Sequence, residues 1–388
     1  MQPLSICTDM RAERPSAFRK KNWKNGRGSQ TAADMFSQVL AALLLGNAAL
    51  AAPLARADST CNNARLRKAW HTLSHDEKKA YLDAELCLMS KPATLGLRGA
   101  KTRFDEFQSV HVYQSEIAHF VGQFFPFHRL YVWAHEEALR KDCGYTGAQP
   151  YWDETLDAGA FSKSIIFDTE VGFGGDGIGT SRCIQTGPFA SYINPIGPGY
   201  NLTNHCIQRQ ISDAASRGAV KSIVDGCLAL KTYLEFWNCV EGQPHGAGHG
   251  GVGFQMLNPV SSPGDPIFYL HHTWLDRIWA KWQAQNPEVR FFEIGGNNRG
   301  RLSDGFTPSP GFPGGPGGPG GSDPPFIPDP RVFDGLVRPD DVPAPIVLGD
   351  PGNTTTLNQV LQMYGVIPNS TIAEVMNIQG GTLCYEYD

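Results

Sequence analysis

The chain has 388 residues, a formal net charge of −5 and charged side chains at 18% of its positions. Hydrophobic residues make up 41%, which is enough for a large domain with a buried core and excludes global disorder. The mild acidity also argues against nucleic acid as a partner, because phosphate binding requires a basic surface. The composition therefore indicates a globular protein that acts on something other than nucleic acid.

The first part of the chain has the pattern of a targeting segment. Basic residues crowd positions 11–27, and an apolar run at positions 39–45 precedes small residues that offer cleavage after Ala51 or Ala57. The run is shorter than the about 20 residues of a membrane span. We predict an N-terminal extension and secretory signal over residues 1–57, secretion to the extracellular space and no stable membrane association. A membrane anchor or a mitochondrial presequence is the alternative.

Cysteine usage agrees with export. Cys7 lies ahead of the apolar run, and the other cysteines form no CxxC pair. They are Cys61, Cys87, Cys143, Cys183, Cys206, Cys227, Cys239 and Cys384. An even number predicts up to four disulfides, whose pairing the sequence alone does not give. Sequons at Asn201, Asn353 and Asn369 predict a glycoprotein.

Helical patterns follow along the chain. Ser74 and Glu77 form an S-x-x-E capping box that begins a helix through Leu86. Apolar spacing predicts further helices at residues 104–118, 127–142, 222–237 and 271–283. Between about 155 and 225 the Gly and Pro clusters indicate loops. The predicted fold class is mainly α, a helical core wrapped by long loops with few short strands.

Glycine and proline dominate residues 305–330, and such a low-complexity run cannot form a packed core. We predict a loop or linker there. It follows a main domain at residues 58–304 and precedes a C-terminal segment at residues 331–388. That segment is too short for an independent domain, so we expect it to pack on the same domain.

Seven of the eleven histidines fall into two groups. They are His111, His119 and His128 upstream, and His245, His249, His271 and His272 downstream. Imidazole is a favoured ligand of copper, zinc, iron and nickel. Histidines four positions apart on a helix, such as His245 and His249, point from the same face. The pattern predicts two metal ions, each held by three imidazoles.

Other kinds of metal site fit this pattern less well. Structural zinc often uses cysteine thiolates at short spacing, and neither group contains such a pair. A di-iron carboxylate bundle needs two E-x-x-H motifs, whereas only Glu116 to His119 matches, so we interpret Glu116 as a solvated helix acid. A di-zinc hydrolase would lack an evident bridging carboxylate. Two facing three-histidine sites suit a pair of copper ions that react with O2.

Two segments of the sequence resemble type-3 copper proteins. They are FHRLYVWAHEEALRKDCGYTGAQPYWD, which contains His128, and DPIFYLHHTWLDRIWAKWQ, which contains the adjacent histidine pair. The resemblance is to tyrosinases and catechol oxidases of the short secreted fungal type, and it covers nearly the whole chain from about Cys61. It implies a four-helix bundle that holds a dinuclear copper site, with a small phenol and O2 as the reactants.

The resemblance also implies a ligand set for two copper ions. The first ion would be held by His111, His119 and His128, and the second by His245, His249 and His272. His271 would then lie outside the ligand set. Asp276 and Arg277, which follow the histidine pair, would either orient a ligand histidine or form a structural ion pair.

Further roles carry over from the resemblance. Glu241 stands where plant-type relatives have a glutamate that orders a water near the site; an ordinary helix acid is the alternative. Gly246 follows His245 at the position where efficient phenol hydroxylases carry an asparagine. No cysteine stands two residues before His119, where several fungal tyrosinases form a thioether crosslink. These departures imply catechol oxidase activity, the oxidation of o-diphenols to o-quinones, with weak monophenol or o-aminophenol oxidation.

Two alternative functions stay open at this point. One is a tyrosinase with full monophenol hydroxylase activity. The other is a non-catalytic protein that binds O2 or copper, although carriers shield their site, whereas Gly246 and Gly250 imply access. No sequence feature gives the oligomeric state.

Overall fold

The computed structural model describes residues 61–300 and 327–388. The predicted secretory signal over residues 1–57 and most of the predicted linker at 305–330 lie outside the described residues, so these domain boundaries stay predictions. Within the two described ranges, no helix is both long enough and apolar enough to cross a membrane.

Helices form most of the regular structure in the described ranges, which confirms the mainly α prediction. In chain order they are α1 (His75–Ser90), α2 (Arg103–Ala118), α3 (Phe124–Cys143), α4 (Asp213–Ser216), α5 (Lys221–Leu228), α6 (Tyr233–Val240), α7 (Gly246–Val252), α8 (Ile267–Ala284), α9 (Pro287–Arg290) and α10 (Ile372–Val375). A π-helical turn, Glu241–His245, joins α6 to α7. Long loops connect α3 to α4, as the sequence indicates.

The described strands are two or three residues long and pair in twos. β1 (Arg65–Arg67) pairs in parallel with β8 (Tyr385–Tyr387). The other pairs are antiparallel: β2 (Gly177–Ile178) with β3 (Cys183–Ile184), β4 (Ile193–Asn194) with β5 (His205–Cys206), and β6 (Val360–Leu361) with β7 (Ser370–Thr371). The β1–β8 pair therefore joins the beginning of the described chain to its end.

Capping residues set the helix boundaries. The predicted box at α1 is present: Ser74 Oγ accepts a hydrogen bond from Glu77 N at 3.2 Å, and the Glu77 carboxylate accepts one from Ser74 N at 2.8 Å. α3 ends at Gly144, whose φ of 69° is a left-handed conformation that glycine adopts without strain.

The prediction of one helix at residues 222–237 is wrong. The chain leaves the helical path after Leu228 and starts α6 at Tyr233. The cause is a capping box at the start of α6, in which Thr232 Oγ1 accepts from Glu235 N and the Glu235 carboxylate accepts from Thr232 N. A side chain that caps the backbone in this way favours a new helix start over continuation of the old one.

Four disulfides link the cysteines that follow Cys7, as predicted. They are Cys61–Cys384, Cys87–Cys143, Cys183–Cys206 and Cys227–Cys239. The first encloses almost all of the described chain, and the last connects α5 to α6.

A buried ionic cluster attaches the end of the chain to the helical core. The Asp276 carboxylate of α8 pairs with Arg129 of α3 and lies 3.5 Å from Arg67 Nη1. It also accepts hydrogen bonds from the hydroxyls of Tyr385, at 2.6 Å, and Tyr387. Of the two roles open from the sequence, the contacts of Asp276 are those of a structural ion pair.

Candidate metal centre

Helices α2, α3 and α8, together with the π-turn and α7, bring the seven clustered histidines to the centre of the bundle. The potential ligand nitrogens of His111, His119 and His128 lie within 4.8 Å of one another, and so do those of the four downstream histidines. The rings of His128 and His272 stack at 4.1 Å with an interplanar angle of 13°. The two groups are therefore adjacent, and only His245 among the seven is partly exposed.

Backbone carbonyls orient five of these imidazoles through their Nδ1 atoms. The pairs are His111 with Val260 (2.8 Å), His119 with Ser115 (3.1 Å), His128 with Phe124 (2.8 Å), His245 with Glu241 (3.2 Å) and His249 with Met256. A carbonyl oxygen only accepts hydrogen bonds, so each Nδ1 carries the proton and each Nε2 keeps a lone pair. This is the arrangement that fixes the tautomer of metal-binding histidines.

Several of the Nε2 atoms have no hydrogen-bond partner in the described part of the protein. Those of His111, His128 and His245 are buried without a hydrogen bond, whereas buried polar atoms are normally satisfied. The Nε2 atoms of His249 and His272 lie 3.3 Å apart. Two nitrogens bound to one ion at about 2.0–2.1 Å with a near-tetrahedral angle would be about 3.3 Å apart. The residues of both groups therefore fit bound metal ions.

Burial keeps these histidines neutral. It lowers the pKa of His119 to about 4 and that of His249 to about 3. Burial and then the neighbouring histidines hold the pKa values of His111 and His128 well below the ordinary value. A neutral imidazole is the form that binds a metal, so the centre does not need to lose protons to bind ions at neutral pH.

His271 has a different environment, which the sequence did not reveal. Its Nδ1 lies 2.5 Å from Glu154 Oε1, and both side chains are fully buried. Burial raises the pKa of Glu154 well above its ordinary value and lowers that of His271. Gly248 of α7 makes room for this pair, because a Cβ at that position would lie 2.3 Å from the imidazole. The only sequence signal for Glu154 is that it directly follows the first segment that resembles type-3 copper proteins, which ends in PYWD.

Glu241 begins the π-turn that carries His245 and contacts the residue that follows His119. One carboxylate oxygen accepts a hydrogen bond from Phe120 N, at 2.6 Å, and the other accepts one from Trp237 Nε1, at 2.5 Å. Burial raises the pKa of Glu241 to about 8. Because Phe120 follows His119, these contacts connect the end of α2 to α6. The water-ordering role of Glu241 stays a prediction.

Two other residues singled out from the sequence are Gly246 and Glu116. Gly246 begins α7, next to His245, and is buried. Glu116 is not the solvated acid expected from the sequence. Its carboxylate lies 2.9 Å from Arg338 Nε and 3.2 Å from the Tyr200 hydroxyl, because the C-terminal segment covers this face of α2.

A dinuclear, histidine-lined metal centre within a helical bundle defines the class of this protein. The family model described as "Common central domain of tyrosinase" matches residues 101–285, the range that contains all seven clustered histidines. "Tyrosinase ustQ" from Aspergillus flavus is 30% identical over 340 residues, which cover 84% of this chain and 80% of that protein. The chain belongs to the tyrosinase family.

Further relatives agree with this assignment. "N-acetyl-6-hydroxytryptophan oxidase ivoB" from Emericella nidulans is 28% identical over 408 residues, 89% of this chain and 100% of that protein. The solved structure of a mutant polyphenol oxidase from Thermothelomyces thermophila superposes with a TM-score of 0.67 at 27% identity, covering 92% of this chain and 94% of the other. The cofactor is a pair of copper ions, which both histidine groups fit, and the activity of the family is copper-dependent oxidation of phenols.

Proposed function

We propose that this protein is a catechol oxidase, which converts two o-diphenols and one O2 into two o-quinones and two waters. The observation that carries this proposal is Gly246. It is buried beside His245 and offers no side-chain polar group to position or deprotonate an incoming monophenol. An o-diphenol is oxidised without insertion of an oxygen atom, so it has less need of such a group.

We assign the copper ligands as the sequence predicts. The first ion would be held by His111, His119 and His128, and the second by His245, His249 and His272. When bound, the two ions would accept the electrons of the o-diphenol and pass them to O2. The 3.3 Å between the Nε2 atoms of His249 and His272 supports His272 as a member of the second set.

The protein supplies fixed geometry and a dry environment. Phe268 is fully buried, and its ring lies 5.2 Å from that of His111 and 4.1 Å from that of His272. It therefore packs against both histidine groups as an apolar wall of the site. Phe124 does the same from another side, at 4.9 Å from His128 and 4.8 Å from His245. Preorganised imidazoles in an apolar enclosure need little rearrangement during the reaction.

The relatives support a hydroxylated aromatic substrate. One is named a tyrosinase and another an N-acetyl-6-hydroxytryptophan oxidase. A tyrosinase with full monophenol hydroxylase activity is therefore the second candidate. Four disulfides support an extracellular location, because disulfides persist in oxidising compartments.

The test is O2 uptake by the copper-loaded protein with catechol, tyrosine and o-aminophenol. We expect fast uptake with catechol and little with tyrosine. Gly246→Asn should raise the tyrosine-to-catechol rate ratio. Gly242→Asn is the matched control, since it adds the same side chain to the preceding turn at an exposed position with open space around it. Equal rates on tyrosine and catechol in the unaltered protein would contradict the proposal and establish the second candidate.

A further inference from the structure

One loop orients a histidine from each metal group. Residues 253–261 connect α7 to the region before α8, and we refer to them as the 253–261 loop. The carbonyl of Met256 accepts a hydrogen bond from Nδ1 of His249, in the downstream group. The carbonyl of Val260 accepts one from Nδ1 of His111, in the upstream group, at 2.8 Å. The conformation of this loop therefore affects both ions of the proposed centre.

Asn258 lies between those two carbonyls and is 1% exposed. Its Oδ1 accepts hydrogen bonds from the backbone N–H of Val260 and of Ser261, both at 3.0 Å, and from the Ser261 hydroxyl at 3.2 Å. These bonds hold the backbone on both sides of the Val260 carbonyl. A single side chain thus sets the direction of the carbonyl that orients His111.

The other end of the same amide attaches the loop to the C-terminal segment. Asn258 Nδ2 donates to the carbonyl of Val332 at 2.7 Å. The Val332 side chain packs in a small apolar cluster with Phe254 and Leu257 of the loop. Because the amide uses both its acceptor and its donor, no substitution by a natural residue of similar size preserves all of these bonds.

We propose that Asn258 is a positioning residue for both copper ions. It directly fixes the Val260 carbonyl that orients His111, and it anchors the loop whose Met256 carbonyl orients His249. The proposal rests on the ligand set assigned above. If the loop shifts, the Nδ1 protons lose their acceptors, and the imidazoles are free to rotate or change tautomer. Loss of such outer contacts typically weakens metal binding by about 10–100-fold.

The experiment measures copper affinity by competition with a copper(I) chelator under anaerobic conditions, with metal content determined by mass spectrometry. Asn258→Ala should weaken binding of both ions by about 10–100-fold. Asn258→Asp keeps an oxygen that accepts from Val260 and Ser261 but replaces the donor to Val332. It should weaken binding less than the alanine variant, and it serves as the test variant if the alanine variant does not fold.

Asn194→Ala is the matched control. Asn194 is fully buried, accepts from Ile196 N at 3.1 Å and donates to the Gly264 carbonyl at 3.2 Å, but both partners lie outside the 253–261 loop. It should lower the melting temperature of the copper-free protein about as much as Asn258→Ala and leave copper affinity within about twofold of the unaltered protein.

Equal copper affinity in the Asn258 and Asn194 variants would overturn the inference, since Asn258 would then contribute to stability alone. This result differs from a failure of the proposed function. A protein that binds two copper ions but does not oxidise catechol would refute the catechol oxidase proposal, and the effect of Asn258 on copper affinity would still be measurable.

Discussion

The close packing of Gly248 against His271 leads to a prediction about stability. In an ordinary helix, Gly→Ala stabilises the fold by up to about 1 kcal/mol, because alanine has the higher helix propensity. A Cβ on Gly248, however, would lie 2.3 Å from the His271 ring and 2.7 Å from Glu154 Oε2. Overpacking of this kind costs typically about 1–3 kcal/mol. Gly248→Ala should therefore destabilise the protein by up to about 2 kcal/mol net.

The assay is thermal unfolding of the copper-free protein, with Gly226→Ala as the control. Gly226 lies within α5, and a Cβ there would meet no atom within 4 Å, so this variant should melt at a higher temperature than the unaltered protein. Gly248→Ala should melt at a lower one. The same raised melting temperature for both variants would refute a close packing of His271 and Glu154 against α7.

Three further predictions concern other parts of the fold. Asp276→Ala leaves buried Arg129 without its ion pair and should cost about 3–5 kcal/mol in chemical denaturation; a loss below about 1 kcal/mol would contradict this. Burial alone would raise the pKa of Asp157. Hydrogen bonds, the largest from His71, lower the pKa by more than burial raises it, so the net shift is a lowering. Asp157→Asn should thus destabilise the protein at pH 7, with the difference vanishing as the pH falls through the lowered pKa; a constant difference would be inconsistent. Asn353 is exposed, so Asn353→Gln should remove one endoglycosidase-sensitive mass step when the chain is expressed in a secreting eukaryotic host.

Local patterns in the sequence predicted much of the fold. The capping box at Ser74 and the helix predicted at residues 127–142 depend on neighbouring residues, and neighbours are visible in a sequence. The break before α6 depends on a similar box at Thr232, which apolar spacing obscured. The disulfide pairing could not be predicted, because it depends on how distant helices pack.

The candidate metal centre was likewise predictable only in part from the sequence. The H-x3-H spacing of His245 and His249 and the adjacent histidine pair were recognisable, because ligands of one ion often share a helix. The partner of His271 was not, since Glu154 lies 117 residues away along the chain. The carbonyls that orient the histidines were also out of reach, because any residue type can supply one. Contacts of this kind are determined by backbone geometry rather than by residue identity.

The closeness of the two ends of the described chain makes this protein a candidate for circular permutation. Cys61 and Cys384 have Cα atoms 5.4 Å apart, and the parallel β1–β8 pair holds the same region together. A short peptide could join the two ends of the described chain there, and new termini could be opened within residues 305–326, where the sequence predicts a linker. Rearrangements of this type succeed most often where the ends lie close together and the new termini fall in a loop. The permuted protein would keep all seven clustered histidines in their original places in the fold.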